Sequence, residues 1–152
     1  MLFRSGVQWA GRLEVLGRRP LVVLDCAHNV ASAHALVEAL RTSFPLPPRG
    51  RRLLVFAGSR DKDLGGMLHV LAPLFDRLFL TRFRNSPRAT APEELLPLLP
   101  AARQSAATMV QDAAEAWRQA RGEAGENDLI CVAGSVFIAG ELRSEMVRGR
   151  AQ

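Results

Sequence analysis

The chain has 152 residues, 48% of them hydrophobic, and a formal net charge of +5. That length suits one domain with a sheet covered by helices on both faces, and that apolar content excludes a disordered chain. No apolar run approaches the ~18 residues of a membrane span, and residues 1–12 carry neither the apolar core nor the small-residue cleavage signal of a signal peptide.

The expected setting is soluble and cytoplasmic, with no membrane partner. Of the 20 basic residues only Lys62 is a lysine, and the arginines are scattered apart from Arg49, Arg51 and Arg52. Nucleic-acid binding needs a concentrated basic stripe, so nucleic acid is not an expected partner. A phosphorylated or multiply anionic small ligand fits the charge at least as well. Cys26 and Cys131 are expected to be reduced and packed. Cys26, His28 and Asp25 lack the second cluster that a zinc site would need, so no metal site is expected.

Residues 1–20 read as an interdomain linker with a first short strand at Glu14-Val-Leu16, then a turn at Gly17-Arg-Arg-Pro20. Trp9 and Arg12 read as residues that touch an upstream neighbour. The α/β domain is expected over 21–146, with a frayed tail over 147–152.

Leu21–Leu24 is four aliphatic residues without polar alternation, as in a strand buried on both faces. A helix follows from Ala31 to Arg41, with Ala33, Leu36, Val37 and Leu40 on one face and Asn29 or Ser32 as its cap. Leu53–Ala57 is the next strand. Asp63 caps a helix from Leu64 to Phe75, which Pro73 bends or shortens; Gly65 and Gly66 mark either a close approach or plain tolerance.

Leu78–Thr81 is a strand, and Arg82–Arg88 a loop. Pro92, with Glu93 and Glu94 behind it, starts a short helix. Ala107–Val110 is a strand, and Asp112-Ala-Ala-Glu115 resembles a capping box opening a helix that Gly122 closes. Asp128–Ala133 is the last strand, and Val136–Arg143 begins the last helix. Five short aliphatic strands alternating with helices predict a doubly wound, Rossmann-like three-layer fold with a mostly parallel sheet.

In such sheets ligands bind beyond the carboxyl ends of the strands. Asp25, His28 and Asn29 close the first core strand: either turn and cap residues, or an acid for a cation or hydroxyl with an imidazole for phosphate oxygens. Lys62 lies between Asp61 and Asp63, in a surface ion-pair cluster or near a transferring phosphoryl group. Gly134-Ser135 opens a helix, as a simple cap or as an anion-binding N-terminus. Neither a Gly-x-x-x-x-Gly-Lys-Ser/Thr run nor the dinucleotide glycine fingerprint occurs, and no Gly-x-Ser-x-Gly elbow supports a hydrolase.

The stretches Trp9-Ala-Gly-Arg-Leu-Glu14, Leu24-Asp-Cys-Ala-His-Asn29, Phe56-Ala-Gly-Ser-Arg-Asp-Lys-Asp63, Ser86-Pro-Arg-Ala89 and Val132-Ala-Gly-Ser-Val-Phe-Ile-Ala-Gly-Glu141 stand in that order. With them the chain resembles the carboxyl-terminal domain of the Mur ligase superfamily, above all the bifunctional dihydrofolate synthase/folylpolyglutamate synthase group. The resemblance implies a partner P-loop ATPase domain upstream, in the same polypeptide or as a split subunit. It implies ATP and Mg²⁺ as cofactors, Mg²⁺ held mainly by that central domain, and glutamate with dihydropteroate or a folate as substrates.

It also implies roles. Arg12, Asp25, His28 and Asn29 would bind ATP, with His28 and Lys62 as catalytic residues. Ser135 would lie near the incoming glutamate, and Arg88 is a further possible site residue. Cys26 stands where the folate group usually has glycine, and Val30 where many members have proline. By this reading the 152-residue chain alone is inactive. A peptidoglycan-precursor Mur ligase and a non-catalytic nucleotide-binding or interaction module are the alternatives.

Overall fold

Aliphatic runs without polar alternation have no solvent side, so they stack as inner strands of one sheet. The structure, a computed structural model, describes residues 12–148. Its strands are β1 (Glu14–Arg18), β2 (Leu21–Leu24), β3 (Arg52–Phe56), β4 (Arg77–Leu80), β5 (Ala107–Met109) and β6 (Leu129–Ala133). They form a 6-stranded sheet in the order β1-β2-β6-β3-β4-β5. β1 is antiparallel to β2; all other neighbours are parallel.

The helices are α1 (Val30–Ser43), α2 (Leu64–Leu71), α3 (Pro92–Leu95), α4 (Ala113–Glu123) and α5 (Val136–Arg148). The expected three-layer α/β fold is therefore present. Alternate residues of each strand serve opposite cores. Leu54 and Phe56 meet Leu36, Leu40 and Leu68 of α1 and α2, whereas Leu53 and Val55 meet Trp117, Ile138 and Leu142 of α4 and α5. Each such side chain, fully removed from water, contributes about 1.5–3 kcal/mol. No described helix is long and apolar enough to cross a membrane.

Several local expectations change. β1 runs through Gly17 to Arg18, and only Arg19 and Pro20 turn. α2 stops at Leu71 and tightens into a 3₁₀ turn, Ala72–Leu74, around Pro73. Residues Ala101–Ala106 form a 3₁₀ segment that no periodicity announces. Asp112 makes no capping bond; its carboxylate is drawn instead to Arg84 at 3.0 Å and Arg118 at 3.9 Å, so the expected capping box does not form. α4 continues past Gly122 to Glu123, and α5 past the expected boundary to Arg148. Residues 149–152 and Trp9 lie outside the described residues.

One of the two glycines in the first turn of α2 explains itself. A Cβ on Gly66 would stand 2.5 Å from Asp63 Oδ2 and 2.8 Å from Val30 Cγ2, so α2 meets the start of α1 only because that position is bare. Gly65 has ordinary space around it. The arginine-rich loop is structural: Arg51 pairs with Asp128 at 3.2 Å, and the Asp128 carboxylate also takes the N–H groups of Arg51 and Gly125.

Candidate functional site

Adjacent strands β2 and β6 are followed by helices on opposite faces of the sheet, α1 and α5. The chain must part there, which leaves a crevice at the carboxyl edge. The loop after β2 crosses that crevice. Asp25 N–H donates to the Val132 carbonyl at 3.0 Å, and Gly134 N–H donates to the Ala27 carbonyl at 3.1 Å. The Asp25–His28 loop is thus fastened to the end of β6.

Asp25 is buried, and both its oxygens are engaged. Oδ1 accepts Ala27 N–H at 2.8 Å, and Oδ2 accepts Leu13 N–H at 3.0 Å. Burial raises its pKa above the ordinary carboxylate value; the Leu13 and Ala27 N–H groups, then Arg12 and His28, oppose that rise without cancelling it. A raised acid binds its proton better in the folded state. Its contribution to stability is therefore complete below the ordinary value of 3.8 and is lost as pH climbs through the raised one. Asp25→Asn removes this titration. The stability gap between wild type and Asp25→Asn should narrow from about pH 3 to about pH 7, read from denaturant midpoints across that range. A gap that widens with pH would contradict the assignment.

His28 Nδ1 lies 3.1 Å from the Cys26 carbonyl. A carbonyl only accepts, so Nδ1 carries the hydrogen and Nε2 is left for a ligand. His28 N–H donates to Ser32 Oγ at 3.0 Å. Asn29 and Ser32 form a reciprocal capping box at the start of α1, with Ser32 N–H on Asn29 Oδ1 at 2.7 Å and Asn29 N–H on Ser32 Oγ at 3.1 Å. Asn29 thus acts as a cap that orients the turn carrying His28.

A cavity of about 240 Å³ opens here. Its polar rim is Arg12, Asp25, His28 and Ser32, and its apolar wall includes Cys26, Ala35 and Leu36. Whole small-molecule sites span roughly 300–1,000 Å³, so this cavity suits part of a ligand. Cys26 keeps the turn without strain, because Leu13 and Arg49 are the only non-glycine residues at positive φ among those described.

The structure gathers Arg12, Asp25 and His28 in one pocket, and it places Lys62, Ser135 and Arg88 elsewhere along the same edge. Ser135 is buried beyond β6, its Oγ accepting Phe137 N–H at 3.0 Å. The loops after β3 and β4 are zipped by Arg60 N–H to the Arg88 carbonyl at 2.8 Å and Thr90 N–H to the Gly58 carbonyl at 3.0 Å. Lys62 is exposed on this second rim, and Arg88 stands 3.9 Å from Asp61. Sequence reasoning missed Leu13, whose backbone holds Asp25; a leucine in a linker gives no such signal. It also missed Ser32 as a rim residue, although a serine three positions after Asn29 was the clue.

Residues 11–136 match the family described as Mur ligase, glutamate ligase domain. The chain belongs to the Mur ligase family. This Mur ligase domain is 33% identical over 95% of its length to a probable bifunctional folylpolyglutamate synthase/dihydropteroate synthase of Halobacterium salinarum, covering 17% of that protein. It is 30% identical over 94% of its length to the folylpolyglutamate synthase of Lacticaseibacillus casei, covering 31% of it. The chain thus spans a third or less of the length of these relatives. Among solved structures it superposes on a Yersinia pestis folylpolyglutamate synthase/dihydrofolate synthase complexed with AMPPNP and a manganese ion, with a TM-score of 0.80, 28% identity and coverage of 93% of this chain and 32% of that one. It superposes equally, at 0.80 and 29% identity over 93% of this chain and 33% of the other, on a Mycobacterium tuberculosis folylpolyglutamate synthase complexed with ADP.

Proposed function

We propose that this domain supplies one wall of the ATP site in a cytoplasmic ligase that joins glutamate to dihydropteroate or a folate. The observation that carries the reading is the single pocket holding Arg12, Asp25 and His28. Arg12 offers a forked cation to phosphate oxygens, and His28 presents its Nε2 beside it. Asp25 holds the linker and offers its remaining lone pairs to the nucleotide. Asn29 orients the turn. Ser135 lies toward the incoming glutamate, Lys62 near the transferring phosphoryl group, and Arg88 on the same rim.

In the reaction, the γ-phosphoryl group of ATP passes to the acceptor carboxylate, giving an acyl phosphate and ADP. The glutamate amine then attacks the acyl carbon; a C–N bond forms, phosphate leaves and the nitrogen loses a proton. Positioning and charge stabilisation supply most of the acceleration of phosphoryl transfer. The described residues include no group of three His, Cys, Asp or Glu that could hold a metal ion, so Mg²⁺ would be held mainly by the ATPase domain and the ATP phosphates. The cavity's size and the missing P-loop run both call for an upstream ATPase domain to complete the site, and closure of the two would exclude water.

The purified 152-residue chain should show no ATP-dependent glutamate addition. Joined to the P-loop portion of a folate-branch relative, it should support addition to a folate. Turnover by the chain alone would overturn the division of labour between the two parts. A second reading has one observation in its favour: 34% identity over 82% of this chain to a UDP-N-acetylmuramoyl-L-alanyl-D-glutamate–2,6-diaminopimelate ligase of Alkalilimnicola ehrlichii. A joined enzyme that accepts only a muramoyl peptide would decide for that branch.

A further inference from the structure

Arg12 reaches the pocket from a segment anchored at the next two residues. Leu13 stands at φ 46, in the left-handed region that a residue with a Cβ avoids. Such a conformation persists only where its surroundings over-determine it. One restraint is the bond from Leu13 N–H to Asp25 Oδ2 at 3.0 Å. The other begins at Glu14, which is buried opposite Leu24 at the start of β1. Its carboxylate receives Arg143 at two points, Nε to Oε1 at 3.2 Å and Nη2 to Oε2 at 2.7 Å.

A two-point guanidinium–carboxylate pair fixes direction as well as distance. Arg143 lies in α5, the helix that starts directly after Ser135. The pair therefore joins the linker to the helix that leaves the other end of the site. Breaking it would remove two charge-assisted bonds from a buried carboxylate, and the hold of α5 on the first residue of β1 would loosen. Leu13 would then be free to relax into ordinary extended backbone, swinging Arg12 away from His28.

We infer that Arg143 is a positioning residue, whose two-point pair with Glu14 holds Leu13 in its left-handed turn and so points Arg12 into the pocket. The inference rests on the reading of Arg12 as a phosphate-binding residue. It makes α5 the part that keeps the Arg12 end and the Ser135 end of the site in one geometry.

The test is amide hydrogen exchange on the 152-residue chain, followed by NMR, with ADP titration beside it. In Arg143→Gln the Leu13 amide should exchange at least about tenfold faster, while the Ala27 amide and those of β6 stay within about twofold. ADP affinity should fall about tenfold, and Arg143→Lys, with charge but no fork, should recover part of both losses. Should Arg143→Gln fail to fold, Glu14→Gln must give the same local signature. Unchanged Leu13 exchange overturns the inference. So does a uniform loss of protection across β6 in both variants, which would mean that the pair only stabilises the fold. If the wild-type chain alone binds no ADP, Leu13 exchange alone decides the role of Arg143, and the nucleotide reading fails only when the chain joined to a P-loop portion binds none either.

Discussion

Gly134→Ala should lower the stability of this domain by about 4 kcal/mol, the combination of ~1–3 kcal/mol of backbone strain with ~1–3 kcal/mol of overpacking. Gly134 stands at φ 120, between β6 and the start of α5. A Cβ there would lie 2.2 Å from the Ala57 carbonyl oxygen and 2.9 Å from the Phe56 ring. Neither obstacle can step aside, because one is backbone and the other a fully buried aromatic. The loss corresponds to a melting temperature lower by roughly 8–16 °C in a chain of this size. The damage should also reach the site, since Gly134 N–H holds the Ala27 carbonyl of the Asp25–His28 loop. Gly122→Ala is the matched comparison: a Cβ at that helical position meets nothing within 4 Å, so it should gain up to ~1 kcal/mol. Thermal unfolding of the two variants beside wild type checks both signs, and a Gly134→Ala protein that melts with wild type would remove the steric account.

Arg12→Ala in the assembled ligase should reduce kcat/KM for ATP by about 10²–10³, the usual effect of deleting one preorganised donor to developing charge. Arg12 is exposed in this domain yet lines the same cavity as Asp25 and His28, so on the proposed reading its guanidinium would be covered when an ATPase domain closes. Arg12→Lys should recover only part of the loss, because an ammonium cannot make the two-point contact of a guanidinium with phosphate. Arg41→Ala, in the last turn of α1 and away from the cavity, should stay within about twofold of wild type. Steady-state kinetics at varied ATP reads the ratio. A fall of less than about threefold for Arg12→Ala would remove this residue from the nucleotide site.

Much of this was legible in the residues. Leu21–Leu24, Leu53–Phe56 and Leu129–Ala133 are continuous aliphatic runs, and burial on both faces leaves them no other place than an inner parallel strand. The Asp25–His28 pocket followed from where such strands end. What was hidden depended on distant partners. Asp112 and Glu115 have the spacing of a capping box, but Arg84 from across the fold, with Arg118 of α4 itself, competes for the Asp112 carboxylate. Leu13 has no polar side chain to advertise its role, which it performs through its N–H. Ala101–Ala106 carries no helical stripe, and it coils as a 3₁₀ segment that Arg103 fastens to the Phe75 carbonyl.

The strand order has a consequence for biosynthesis. β6 lies between β2 and β3, and it is the last of the described strands in chain order. On the ribosome β1 and β2, like β3, β4 and β5, would lack their common neighbour until β6 is made, each set with a bare inner edge. Translation at about 5–20 residues per second leaves those edges open for some seconds, and joining them requires the long-range pairing that makes folding slow. Val132 and Gly134 arrive in that final segment, and they are the residues that fasten the Asp25–His28 loop. The nascent protein should therefore hold no early pocket around Asp25 and His28. That pocket closes only when the central strand slides home.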